Sequence, residues 1–452
     1  MLARFGPFRV TAFGTGELQL GSPKRCSYRV AQAEDGSCYL ACSLRNMSEF
    51  PFGILPDRMR LSLVGTCRDG AVSVSPCDGR VLNSTAILQH PVRVTVVFGI
   101  RHFTIEPKHA VASKARRKRF VITNVQIDGK TPLAVNVVWH GQAVSATLAE
   151  LDGQSGPARG RRSTRDAHPA ATLSIPSEAE EPEGLADALC SILSIAQGQK
   201  VQWIAAQELD EANELLRDES LNRAVGRSAS MPIIDPMWLE TQAFVQGVFT
   251  RFVSIAEQWD MSRIIGAFCD ARRDDDFLES RGVKLAVVLE MLKAQYLTNR
   301  DPLRGRMLPD DQFDAMRERL THAVDQVGKN SGLNNRVRRV LRAKVGEFNR
   351  RPFRWVLRGL CDELGLAIPD CERDKIATIR NNLVHEGRFS TGALEDRRKE
   401  NLPAYLLLLS FLDRALLRLL RYEGPFYDWR ELDADDRKAH IDKDGTVAKT
   451  HF

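Results

Sequence analysis

The chain has 452 residues, 43% of them hydrophobic and 27% charged, an ordinary balance for a globular protein of roughly two to four domains. Its net charge of +6 permits a polyanionic partner without demanding one. No apolar run reaches the roughly 18 residues of a membrane span, because the best stretch, Leu402 to Leu420, contains Asp413, Arg414 and Arg418.

Met1 to Val10 lacks the apolar core of a signal peptide, and nine scattered cysteines make no disulfide framework. A cytoplasmic protein with no membrane partner is therefore expected. Residues 1–151 read as a β-rich domain. Val92 to Phe98, Arg119 to Val125 and Leu133 to Trp139 are β-branched and aromatic, and turn-forming clusters such as Asp128-Gly129-Lys130 separate them. With no helical pattern between the strands, a sandwich or barrel is predicted. Cys38 and Cys42 flank Leu40 at strand alternation, which makes them core residues. A zinc site drawn from Cys26, Cys38, Cys42, Cys67 and Cys77 lacks the closely spaced ligand pair such sites use. Gly14-Thr15-Gly16 has no GKS or GKT ending and makes no phosphate loop. Lys114 to Arg119 is a basic cluster that reads as a solvated loop.

Residues 152–184 are rich in Gly, Pro, Ser and Ala, with a basic half and an acidic half, and read as a flexible linker. A helical connector follows over 185–270, within which Val201-Gln202-Trp203-Ile204 has the look of a strand returning to the first domain. Asp235-Pro236 is a good helix start. Helices are predicted near 236–258, 277–298, 309–328, 333–348, 352–364, 371–386 and 394–422, giving an all-α domain over 271–430 and a polar tail over 431–452. The fold class is thus α+β and multidomain.

The predicted helix from Cys371 carries the chemistry. Asp370 is placed to cap it, and Ile376, Ile379 and Leu383 give it a buried stripe. Asn381 and His385 are four apart and share a face. Arg380 lies about 140° from His385 around the axis, so its long side chain must bend toward the histidine. Gly387 ends the helix and leaves His385 in the last turn, where the dipole favours an imidazolium. These residues suit RNA cleavage by attack of a 2′-hydroxyl on its own phosphate: a histidine moves protons and an arginine fork stabilises the added negative charge. On spacing alone, the ordinary reading of such an arginine is a surface residue.

The stretch Ile379-Arg380-Asn381-Asn382-Leu383-Val384-His385-Glu386-Gly387 resembles the signature of the HEPN superfamily, in which Arg and a polar residue precede His. The leucine-rich helix after it, closing on Tyr422 to Trp429, and the β-rich first domain resemble the ApeA-like subgroup. The resemblance implies a metal-independent endoribonuclease with no cofactor, working as a homodimer through the HEPN helical bundle. It assigns phosphate stabilisation to Arg380, proton transfer to His385 and orientation to Asn381. It further implies an abortive-infection effector whose first domain senses a phage-derived trigger.

Glu290, in the apolar run Val283 to Leu292, either steadies Arg380 or lies on an exposed face. Arg336, Arg338, Arg339, Arg342, Arg350, Arg351 and Arg354 form a dense basic segment opposed only by Glu347, fit either to track an RNA backbone or to be solvated. Two other readings stand beside the nuclease: a catalytically silent RNA- or protein-binding HEPN module, and a HEPN toxin held by a separately encoded nucleotidyltransferase.

Overall fold

The computed structural model describes residues 8–20, 22–45, 58–87, 93–108, 114–126, 132–150, 170–223, 231–390, 394–431 and 438–449. The chain forms two compact units, Met1–Phe252 and Val253–Phe452. The first is β-rich and the second mainly helical, as the composition of the two halves predicts.

The first unit is built on one antiparallel sheet. β1 (Phe8–Leu20), β2 (Ser22–Ala33), β3 (Cys38–Arg45), β4 (Arg58–Cys67), β5 (Gly70–Ile87) and β6 (Arg93–Ile100) pair in the cyclic order β4-β1-β2-β3-β6-β5. The β4–β5 ladder closes the ring into a six-stranded barrel. Closure needs bent strands, and register shifts at Leu61/Leu63 and Val81/Asn83 supply them. Alternate residues point inward, so Leu18, Val30, Leu40, Leu63 and Phe98 fill the interior. Tyr28 packs there too, and Gly65 makes room for it, since a Cβ at that position would overlap its ring. Cys26, Cys38, Cys42 and Cys77 are buried free thiols. Among the described residues no group of three or more His, Cys, Asp or Glu is arranged to hold a metal ion.

Beyond the barrel, β7 (His102–Pro107) pairs with the start of β5 and extends the sheet. After β7 come β13 (Leu215–Leu221), β12 (Gln202–Leu209), β8 (Arg117–Thr123), β11 (Ala170–Pro176), β10 (Gln142–Glu150) and β9 (Leu133–Trp139). Helix α1 (Pro182–Gln197) packs on β8, β11 and β12. The strand expected at Val201 to Ile204 is therefore present as β12, pairing with Arg117–Thr123 as a return to the first unit.

Three expectations need correction here. Residues 151–169 lie outside the described set, but 170–176, expected as linker, are strand β11 between β8 and β10. The Lys114 to Arg119 cluster leads into β8 instead of staying a solvated loop, with Arg116 paired to Glu211 at 2.9 Å and Lys118 to Glu183. Residues 185–270 are not simply helical, because β12 and β13 lie among them. β13 was hidden by its polar inward face: Asp218 and Ser220 are buried and bonded to Arg9, with Arg9 to Asp218 at 2.9 Å.

Helix α2 (Trp238–Ile255) is followed by α3 (Met261–Ala271), α4 (Leu278–Asn299), α5 (Asp310–Asn330), α6 (Asn335–Val345), α7 (Phe353–Leu364), α8 (Asp370–Glu386) and α9 (Leu394–Leu419). Seven of these eight answer to predicted helices; α3 is the addition, and its stripe of Met261, Ile264, Ile265 and Phe268 is buried. α4 is central, packing on α3, α7, α8 and α9. The leucines of α9 are core, with Leu408, Leu409, Leu412 and Leu416 buried. Arg272 and Asp413, both nearly inaccessible, form an ion pair inside this core. The expected polar tail is partly ordered: β14 (Gly424–Tyr427), β15 (Lys438–Ile441) and β16 (Val447–Lys449) make a small antiparallel sheet. Its strands alternate too briefly to announce themselves in sequence. No helix among the described residues is long and apolar enough to cross a membrane.

Candidate functional site

Helix α8 is anchored through Ile376, Ala377, Ile379 and Leu383, which are buried, so the predicted stripe is the packed face. Its start differs in detail from expectation. Pro369 occupies the cap position and Asp370 is the first helical residue, without a side-chain capping bond; Asp370 and Glu372 still put negative charge in the first turn. Its end is as expected: Gly387 takes a left-handed conformation with φ 68°, and its N–H donates to the carbonyl of Leu383.

The close fit of α4 against this end depends on another glycine. A Cβ on Gly282 would overlap the Phe389 ring and lie 3.0 Å from Leu383. The Asn382 side chain donates to the Phe389 carbonyl at 3.0 Å, fastening the chain just past the helix. These contacts fix which way Arg380, Asn381 and His385 face.

Arg380 is held on three sides. Its Nε donates to Glu290 Oε1 of α4 at 2.7 Å, and Nη2 lies 2.5 Å from the same oxygen. Nη1 donates to Asn381 Oδ1 at 2.8 Å. The guanidinium sits 4.7 Å from the centroid of Phe353, the first residue of α7. Glu290 also pairs with Lys293, one turn further along α4. The arginine side chain is only 14% exposed, yet each terminal nitrogen keeps a further N–H beyond these bonds. A rigid fork with spare donors suits an oxyanion or phosphate.

Of the sequence-predicted site residues, the structure thus joins Arg380, Asn381 and Glu290. It does not join His385 to them. His385 is exposed in the last turn of α8 and makes no hydrogen bond or ion pair among the described residues. The expected bend of Arg380 toward the histidine is absent, because Glu290 draws the guanidinium toward α4. Sequence reasoning missed Phe353 and Lys293. The spacing of Glu290 and Lys293 signals their pair, whereas the Phe353 contact joins positions far apart in the chain.

The basic segment does not form one surface. Arg338 and Arg342 flank Asp325 at 3.5 and 3.8 Å. Arg351 is bound to Asp301 at 3.3 Å, and Arg354 to Asp374 at 3.3 Å. Arg336, Arg339 and Arg358 are exposed and form no ion pair among the described residues. Arg350 is exposed just before α7.

No protein-family description, curated protein or solved structure matches the chain.

Proposed function

We propose that the chain is a HEPN-type, metal-independent endoribonuclease that cleaves RNA by 2′-hydroxyl attack, with two copies of the helical bundle sharing one cleft. The observation that carries this reading is the held guanidinium of Arg380, with Asn381 beside it and an unengaged His385 on the next turn of the same helix. Within one chain the two halves of the chemistry are separate. A second α8 brought against the first across a two-fold axis supplies His385 of one copy to the phosphate held by Arg380 of the other. Val384 is 44% exposed between those residues, and Val287 of α4 is 48% exposed, which gives such a contact an apolar centre.

In this scheme Arg380 stabilises the phosphorane-like transition state, His385 moves the proton to or from the reacting oxygens, and Asn381 orients the arginine. Glu290 is a positioning residue that fixes the fork. Arg350, Arg354 and Arg358, on or beside α7, are the cations of the segment best placed near α8 to follow the RNA backbone. The resemblance to the ApeA-like subgroup supports a cytoplasmic abortive-infection effector whose β unit receives a phage-derived trigger. Cleavage of cellular RNA by the wild type and not by His385→Ala, with a chelator present, tests the assignment.

The Arg380–Glu290 pair favours one other reading. An arginine satisfied within its own chain also fits a helical module that binds RNA or protein without cutting. The His385→Ala comparison separates the two.

A further inference from the structure

Helices α5 and α6 form an antiparallel hairpin whose main packing is of one helix on the other. Gly328 lets the Arg338 side chain lie close, and Asp325 receives Arg338 and Arg342. On this hairpin the apolar residues that a helix normally buries are outside. α5 carries Phe313, Met316, Leu320, Ala323 and Val327 at alternating spacings of three and four, the repeat of a helix-pairing seam. Of these only Phe313 is buried, and Val327 is 64% exposed. α6 presents Val337, Val340 and Leu341 on one face, with Val340 55% exposed. Phe348, just past α6, is exposed as well.

An apolar seam of this kind is covered in the working assembly. Its charges say by what. α6 bears Arg336, Arg338, Arg339, Arg342 and Lys344 and no acid, whereas α5 bears five carboxylates against the three cations Arg317, Arg319 and Lys329. Arg336 and Arg339 on α6, and Asp311 and Glu318 on α5, form no ion pair among the described residues. The cations lie at the tip of the hairpin and the carboxylates toward its base. Two hairpins laid tip to base around a two-fold axis bring each pair onto the other, and the apolar seams meet between them.

We infer that the α5–α6 hairpin is a self-association surface whose occupant is the same hairpin of a second copy, forming an intermolecular four-helix bundle. α5 is roughly 30 Å long at 1.5 Å per residue, and two helix faces about 10 Å wide bury roughly 1,200 Å² in total, the lower end of stable interfaces. A nucleic-acid backbone would match the arginines and leave the valine and leucine face unused. This surface is distinct from the α8 face and does not depend on the nuclease reading.

The test is the mass of the full-length chain by light scattering at micromolar concentration. Val340→Glu and Val327→Glu alter exposed positions and should keep the wild-type circular dichroism and melting profile. Each is expected to halve the mass. Glu318→Arg is expected to weaken the assembly, and Glu318→Arg combined with Arg339→Glu to restore it. A monomeric wild type, or a Val340→Glu protein of unchanged mass, would overturn the inference. Loss of RNA cleavage in His385→Ala bears only on the α8 site, so the two proposals fail separately.

Discussion

Arg380 and Glu290 lie ninety positions apart in sequence and meet in one ion pair, so the carboxylate decides where the guanidinium points. Replacing Glu290 by Gln keeps a hydrogen-bond acceptor and removes the charge. A charge-assisted bond is worth about 1.5–3 kcal/mol, and the partial exposure of Glu290 places the loss at the low end. Cleavage is expected to fall about tenfold for roughly 1.4 kcal/mol, chiefly in the catalytic step and with little change in RNA binding. Equal activity of Glu290→Gln and wild type would mean that Arg380 needs no positioning. At Asp413, burial outweighs the neighbouring Arg272 and lifts the carboxyl from 3.8 to about 6. The folded protein therefore holds this proton more tightly than the unfolded chain does. The sign follows: the stabilisation from the protonated group is complete below about pH 4 and is lost as pH rises to about 6. Melting curves of wild type against Asp413→Asn should show the wild type losing ground over that window. A difference independent of pH would show that Asp413 is not buried as described.

At the scale of elements, two glycines set the geometry around the motif. Gly387 has φ 68°, where an L-residue is strained, and its substitution by Ala should cost about 1 kcal/mol and fray the turn that carries His385. Gly282→Val sets a side chain against Phe389 and Leu383, and overpacking of that kind costs about 1–3 kcal/mol. Thermal unfolding checks both, with the larger loss at Gly282. The helices of the second unit were legible because their apolar periods are long and their boundaries are marked, as Gly387 marks α8. α3 has an equally clear period in Met261, Ile264, Ile265 and Phe268, and the cue was there to be used. β13 was not legible: its inward face carries Asp218 and Ser220, whose burial is made tolerable by Arg9, a partner about two hundred residues away. The motif residues themselves were readable as a local pattern. Their mutual arrangement was not, because the direction of Arg380 is set by α4 and α7.

For the whole molecule, the β unit and the helical unit each have their own core, and the candidate chemistry lies wholly in the second. The barrel closes its own sheet edges at β4 and β5, leaving β9 at the open end of the extended sheet. The absence of a bond between Arg380 and His385 turns a question of residues into one of assembly. If the cleft is shared, a mixture of Arg380→Ala and His385→Ala proteins recovers part of the activity that each lacks, since mixed pairs contain one intact half-site. Activity that stays absent in the mixture, beside an active wild type, would place both residues in one chain's site.

The most direct measurement is incubation of purified wild-type and His385→Ala protein with total cellular RNA in EDTA, followed by identification of the new ends. The account predicts cleavage by the wild type alone, leaving 2′,3′-cyclic phosphate or 3′-phosphate ends. Undiminished cleavage by His385→Ala, or 3′-hydroxyl ends from the wild type, would contradict it.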